Sequence, residues 1–144
     1  MKNLLFIFFA IFALTSCQTG SGYGKLTGTS PVYEMKVQGK NGDDSKVDVT
    51  FSIESTLVDS LKISEDTLKI LCERACLYSD FSVKFPLTWK FSTESKPMLI
   101  YSDGDISVIM SGSAKNAFGV DSRVMTYIKF DNNYNVVVED ILSF

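Results

Sequence analysis

The chain has 144 residues, of which 45% are hydrophobic and 22% charged, with 14 basic side chains, 17 acidic ones and no histidine. That length predicts a single domain, and a mildly acidic, well-mixed charge argues against nucleic acid as a partner. Without histidine there is no Ser-His-Asp or Cys-His pair, none of the usual catalytic zinc ligand sets, and no ordinary acid–base residue for neutral pH.

In chain order, Lys2 precedes an unbroken apolar run from Leu4 to Leu14, LLFIFFAIFAL. As a helix this run rises about 16 Å, well short of a hydrocarbon core about 30 Å thick. Its residues are apolar on every face, which does not suit a helix that packs one stripe onto a core. A secretory signal peptide over residues 1–16 is the expected reading.

Leu14-Thr15-Ser16-Cys17 at the end of this run resembles the lipobox of bacterial lipoproteins. The resemblance implies cleavage before Cys17 and a thioether-linked lipid anchor carrying acyl chains such as palmitate. More than one chain is what stable anchoring requires. It places the protein in the cell envelope. Gln18, in place of an aspartate, points to the outer membrane or cell surface rather than to inner-membrane retention. Residues 18–30, QTGSGYGKLTGTS, are rich in Gly, Ser and Thr and are expected to act as a flexible tether with a reach of about 20 Å. This stretch is neither a phosphate-binding loop nor a dinucleotide fingerprint: Thr19, Leu26 and Thr27 stand where those motifs need other residues.

Residues 31–144 are then expected to form one α+β domain. From Val32 to Ile53 the pattern is a hairpin, with Tyr33, Met35 and Val37 on one face and Val47, Val49, Phe51 and Ile53 on another, around the turn signal Asn41-Gly42. The stretch Glu54–Lys62 is compatible with strand or helix. Ser64 is a good N-cap, Glu65 and Asp66 suit the positive end of a helix, and Ile63 with Leu68 forms a staple. Leu68, Leu71, Cys72, Ala75 and Cys76 make one apolar helical stripe.

From Asp80 to Ser92, Phe81, Val83, Phe85, Leu87, Trp89 and Phe91 alternate without a miss, which predicts an edge or bulged strand around Pro86. MLIYS and DISVIMSGSA follow across Asp103-Gly104, then RVMTYIKF and NVVVEDILSF. The expected order is β-β-α-β-β-β-β-β, an antiparallel sheet with one helix on its apolar face and a Lys-, Ser- and Thr-rich face toward water.

Between two of these strands, Ala114-Lys115-Asn116-Ala117-Phe118-Gly119 resembles an A-x-N-x-F-G hairpin of small uncharacterised bacterial secreted or lipoprotein domains. The resemblance implies no activity. On the residues alone, Asn116 and Gly119 suit positions i and i+3 of a type I turn. Phe118 either stands exposed as a recognition residue or folds back onto the sheet. Asn116, Phe118 and Gly119 are the candidate partner-binding residues.

Chemistry finds few other footholds. Cys72 and Cys76 read as buried thiols or as a disulfide near a frayed helix end; their spacing is not that of a redox C-x-x-C motif. Asp131-x-Asn133-x-Asn135 begins like a calcium loop, but Val136 and Leu142 occupy its glycine and glutamate positions. The Asp43-Asp44 and Asp103-x-Asp105 carboxylates belong to turns. Asp59-Ser60-Leu61 and Asp66-Thr67-Leu68 match loose O-glycosylation sequons of some gut bacteria.

No cofactor or metal is expected. The functional expectation is a membrane-anchored, non-enzymatic binding module for a protein or small ligand. An envelope inhibitor or immunity-type protein and a carboxylate-based hydrolase are the alternatives.

Overall fold

The computed structural model describes residues 32–144, so the apolar leader, Cys17 and the tether stretch lie outside the described residues. β1 (Val32–Lys40) and β2 (Lys46–Glu54) form the expected hairpin, with Met35 opposite Phe51 and Val37 opposite Val49. The stretch after it begins as a short helix, α1 (Ser55–Asp59), which buries Leu57. α2 (Glu65–Leu77) starts as its sequence predicts: the Ser64 hydroxyl accepts from the Thr67 N–H at 3.3 Å, a cap worth about 1 kcal/mol. Leu68, Leu71, Cys72, Ala75 and Cys76 are all buried, and α2 lies chiefly against β1.

The run from Phe81 to Phe91 is not the strand its alternation predicts. Its amides bond locally, Phe81 N–H to Tyr78, Val83 N–H to Asp80 and Thr88 N–H to Phe85, and Pro86–Thr88 form a 3-10 turn. Only Lys90–Phe91 join the sheet, as β3. Pro86 has no N–H to give a ladder and its fixed φ suits the first position of a helical turn. Of the alternating residues only Trp89 and Phe91 are buried, while Phe81, Phe85 and Leu87 are exposed.

β4 (Met98–Ser102), β5 (Asp105–Lys115), β6 (Asp121–Phe130) and β7 (Val136–Ser143) complete the sheet, whose order is β1-β2-β4-β5-β6-β7 with β3 paired to β5. The sheet is mixed rather than antiparallel, because β2 and β4 run parallel at Ser52–Met98 and Ile53–Leu99. The chain leaves β2, passes through α1, α2 and the 3-10 turn, and returns beside β2; a crossover of that length can bring strands together in parallel. The α+β class stands.

One row of side chains, Ile53, Leu99, Val108 and Ile128, crosses the buried face on four neighbouring strands. α2 covers this face over β1. The 78–88 loop covers it near β6 and β7, where Ser82 meets the Thr126 hydroxyl at 3.3 Å and its carbonyl accepts from Ser143 Oγ at 3.0 Å. The opposite face is less polar than expected, since the next row is Met98, Ile109, Tyr127 and Leu142.

Strand directions give the domain two ends. Val32 and the turns at Asp103 and Asp131 lie at one, called here the near end because the chain enters there. The turns at Asn41 and Asn116 lie at the other, the far end.

Candidate functional site

Three of the hairpin turns share one construction. At Asn41, Asn116 and Asp131 the carbonyl accepts the N–H three residues on, from Asp44, Gly119 and Tyr134, and each of those three residues has positive φ. The N–H of the first residue then donates to the carbonyl four residues on. This is a type I turn followed by a left-handed residue, a common hairpin loop. The expected turn at Asn116–Gly119 is therefore present, with Gly119 at φ 74°.

Asn116 also holds the loop through its side chain. Its Oδ1 accepts from the Phe118 N–H at 2.9 Å and the Val120 N–H at 3.2 Å, and its Nδ2 donates to Ser122 Oγ at 3.1 Å. The backbone of the tip is thus tied down, and Phe118 projects from it 89% exposed, with Val120 also exposed. Of the two alternatives the sequence left open, the structure places Phe118 outward.

A second apolar tip sits in the same end. The Thr88 hydroxyl accepts from the Lys115 N–H at 2.9 Å, one residue before the Asn116 turn, and donates to the Phe85 carbonyl at 2.7 Å. On the other side the Gly42 N–H donates to the Trp89 carbonyl at 2.8 Å, and Asn41 Oδ1 accepts from the Phe91 N–H at 3.0 Å. Leu87, held between these bonds, is 79% exposed. A Cβ on Gly42 would overlap the backbone of Pro86 and Leu87, so its glycine is needed for close approach, while the left-handed turn position is Asp44. Asp43 braces this turn through the Ser45 hydroxyl at 2.5 Å and its N–H at 3.0 Å, which hold its carboxyl below the usual range.

Trp89 is the pillar beneath. It is fully buried, stacked edge-on to Phe91 at 5.7 Å, and packed so close over Gly112 that a Cβ there would overlap the indole.

Cys72 and Cys76 are both free and buried. Burial pushes each thiol up to about 12, so neither is a ready nucleophile or metal ligand at neutral pH. Asp131 is spent on its own turn: the N–H groups of Asn135 and Asn133, both at 2.8 Å, hold its carboxyl below the usual range. Asp105, which shares a small cavity with Asp131, is paired with Lys129 at 2.9 Å. Among the described residues no cluster of three metal-ligating side chains occurs, and no helix is long and apolar enough to cross a membrane.

The structure brings Asn116, Phe118 and Gly119 into one turn and separates them from the thiols, which belong to the core. Sequence reasoning missed Leu87 because it stood in a perfect alternation that read as the apolar face of an edge or bulged strand. Pro86 marked the irregularity, but the chain there is a 3-10 turn rather than a bulge. No family model, curated protein or solved structure matches this chain.

Proposed function

We propose that this protein is a lipid-anchored, non-enzymatic binding module of the bacterial cell envelope that meets a protein partner through its far end. In this reading Cys17 is the acylated N-terminus, residues 18–30 form the leash, and the outer membrane or cell surface is the site of attachment. The observation that carries it is the pair of exposed apolar tips, Phe118 and Leu87, fixed on a hydrogen-bonded frame at the end away from Val32. Tips whose backbone is already tied down lose little backbone freedom on binding, and a large aromatic ring is a usual interface anchor. A leash with a reach of about 20 Å in no fixed direction and a first strand of about 30 Å put those tips roughly 35 Å from the anchor on average.

Among the described residues three pairs of carboxylates share a cavity, and two of them do not favour a hydrolase. Asp131 and Asp105 are each engaged, and Asp48, beside Glu94, is bound to Lys36 at 2.8 Å. The third pair, Glu94 with Asp121, lines its cavity together with Arg123. An inhibitor or immunity role is the second reading, favoured by the single projecting ring of Phe118, which suits insertion into a cleft.

Two measurements test the proposal. Intact mass of the protein from native membranes is expected to show a chain beginning at Cys17 with added diacylglyceryl mass; an unlipidated chain removes the anchor. A photo-crosslinking residue at position 118 is expected to trap a partner that the same residue at position 103 does not. Loss of that adduct in a Leu87→Ser background supports the far end, and equal trapping at both positions overturns it. A one-to-one adduct with an envelope hydrolase marks the inhibitor reading.

A further inference from the structure

β2 and β3 run past each other without a ladder. β2 pairs with β4 only at Ser52 and Ile53, and β3 pairs only with β5. Single bonds close the two ends of the gap: Phe91 N–H to Asn41 Oδ1 at 3.0 Å on one side, Ser52 N–H to the Pro97 carbonyl at 2.8 Å on the other. Ser52 points its amide toward β4, so strand alternation turns the N–H and C=O of Asp48 and Thr50 the same way. Phe91 points its N–H back toward Asn41, so its carbonyl faces the gap as well.

A cavity of about 320 Å³ occupies this opening, a volume in the range of small-molecule sites. Val47, Val49 and Phe91 supply an apolar floor, and the loop from Ser92 to Pro97 forms the wall. Ser95 is part of that wall, and its Oγ is buried with no hydrogen-bond partner among the described residues. Buried hydroxyls are ordinarily paired, so this one offers a bond to whatever enters. Three charged side chains line the opening. Lys96 is held by Glu34 at 2.5 Å and Asp48 by Lys36 at 2.8 Å, leaving Glu94 as the lining charge without an ion pair among the described residues.

We propose that this opening is a binding slot for a small organic cation with an aliphatic stem, an alkylguanidinium or alkylammonium. The stem lies on Val47, Val49 and Phe91. The cationic head donates to strand carbonyls left outside the ladder, to Ser95 Oγ and to Glu94. Lys96, the cation that lines the opening among the described residues, is already paired with Glu34, which disfavours an anion here. The slot is separate from the Phe118 and Leu87 tips and does not depend on them.

The test is a titration of the full chain in detergent micelles with propylguanidinium, tetramethylammonium, acetate and N-acetyl-arginine amide, read by backbone amide shifts. Propylguanidinium is expected to give saturable shifts at Thr50 and Ser95 in the millimolar range, with tetramethylammonium, which has no N–H to donate, much weaker. Glu94→Gln is expected to weaken binding about three- to fivefold, and Ser95→Ala to weaken it while the amide spectrum stays that of a folded domain. Phe118→Ser is expected to leave it unchanged. Tighter binding of N-acetyl-arginine amide than of propylguanidinium assigns the slot to a peptide side chain, and weaker binding to a free small cation. No saturable shift by about 100 mM, stronger shifts with acetate, or unchanged affinity in Glu94→Gln overturns the proposal.

Discussion

The turns at Asn116 and Asp131 close through the same two backbone hydrogen bonds, yet one presents a side chain to solvent and the other packs one against the core. At Asn116 the left-handed position is Gly119, and the residue before it, Phe118, points into solvent. At Asp131 the left-handed position is Tyr134, which packs against the core, and Arg74 reaches from α2 to the Tyr134 carbonyl and to Asn135 Oδ1 at 3.1 Å. A turn that satisfies its own backbone groups leaves its side chains free to be used in either way. What differs is whether another element stands above it: α2 sends Arg74 over the Asp131 turn, whereas among the described residues the Asn116 turn is braced from outside its hairpin at its base, by Thr88.

That contrast can be broken from either side. The largest effect is expected at the pillar of the far end, where Trp89→Ala should cost about 3–5 kcal/mol by urea denaturation. A loss under about 1 kcal/mol would show that the two tips do not rest on this ring. At the near end Arg74→Met should cost about 1.5–3 kcal/mol, with hydrogen exchange accelerating at Tyr134 and Asn135 and not at Phe118. Uniform acceleration would mean that Arg74 supports the whole domain rather than one turn.

Asn116→Ala should cost about 1 kcal/mol and Gly119→Ala about 1–2 kcal/mol, because alanine resists positive φ. Either change is expected to loosen the Phe118 tip in exchange measurements while the Asp131 turn stays protected. A pH-dependent difference separates the turns further. The Asp131 carboxyl is held below its ordinary value in the folded chain, so its contribution is present above about pH 4 and is lost as pH falls through the lowered value. The wild-type chain should therefore lose more stability between pH 5 and pH 2 than Asp131→Asn does; equal losses would assign the acid sensitivity to other carboxylates. The smallest stability change is expected for Phe118→Ser, within about 0.5 kcal/mol, since an 89% exposed ring contributes little to folding.

The local signals in this chain were legible where one residue type satisfies one backbone need. Ser64 caps α2, and the apolar stripe from Leu68 to Cys76 is buried as its spacing requires. Asn116 and Gly119 occupy the turn positions that suit them, and Asp103-Gly104 make the tight turn between β4 and β5. The alternation from Phe81 to Phe91 misled because it records only which side chains are apolar. It does not record whether a neighbouring strand edge is available, and β5 offers one to Lys90 and Phe91 alone.

The sequence by itself determined the hairpins, the main helix and the turn chemistry, because hydrogen bonds within a few residues decide them. Tertiary structure alone decided the parallel contact of β2 with β4, the opening between β2 and β3, and the meeting of Leu87 with the Asn116 turn. These depend on where the crossover returns to the sheet. Gly42, whose missing side chain lets Pro86 and Leu87 come close, shows the difference in one residue: the sequence marks it as a turn, and only the packed chain shows what it makes room for.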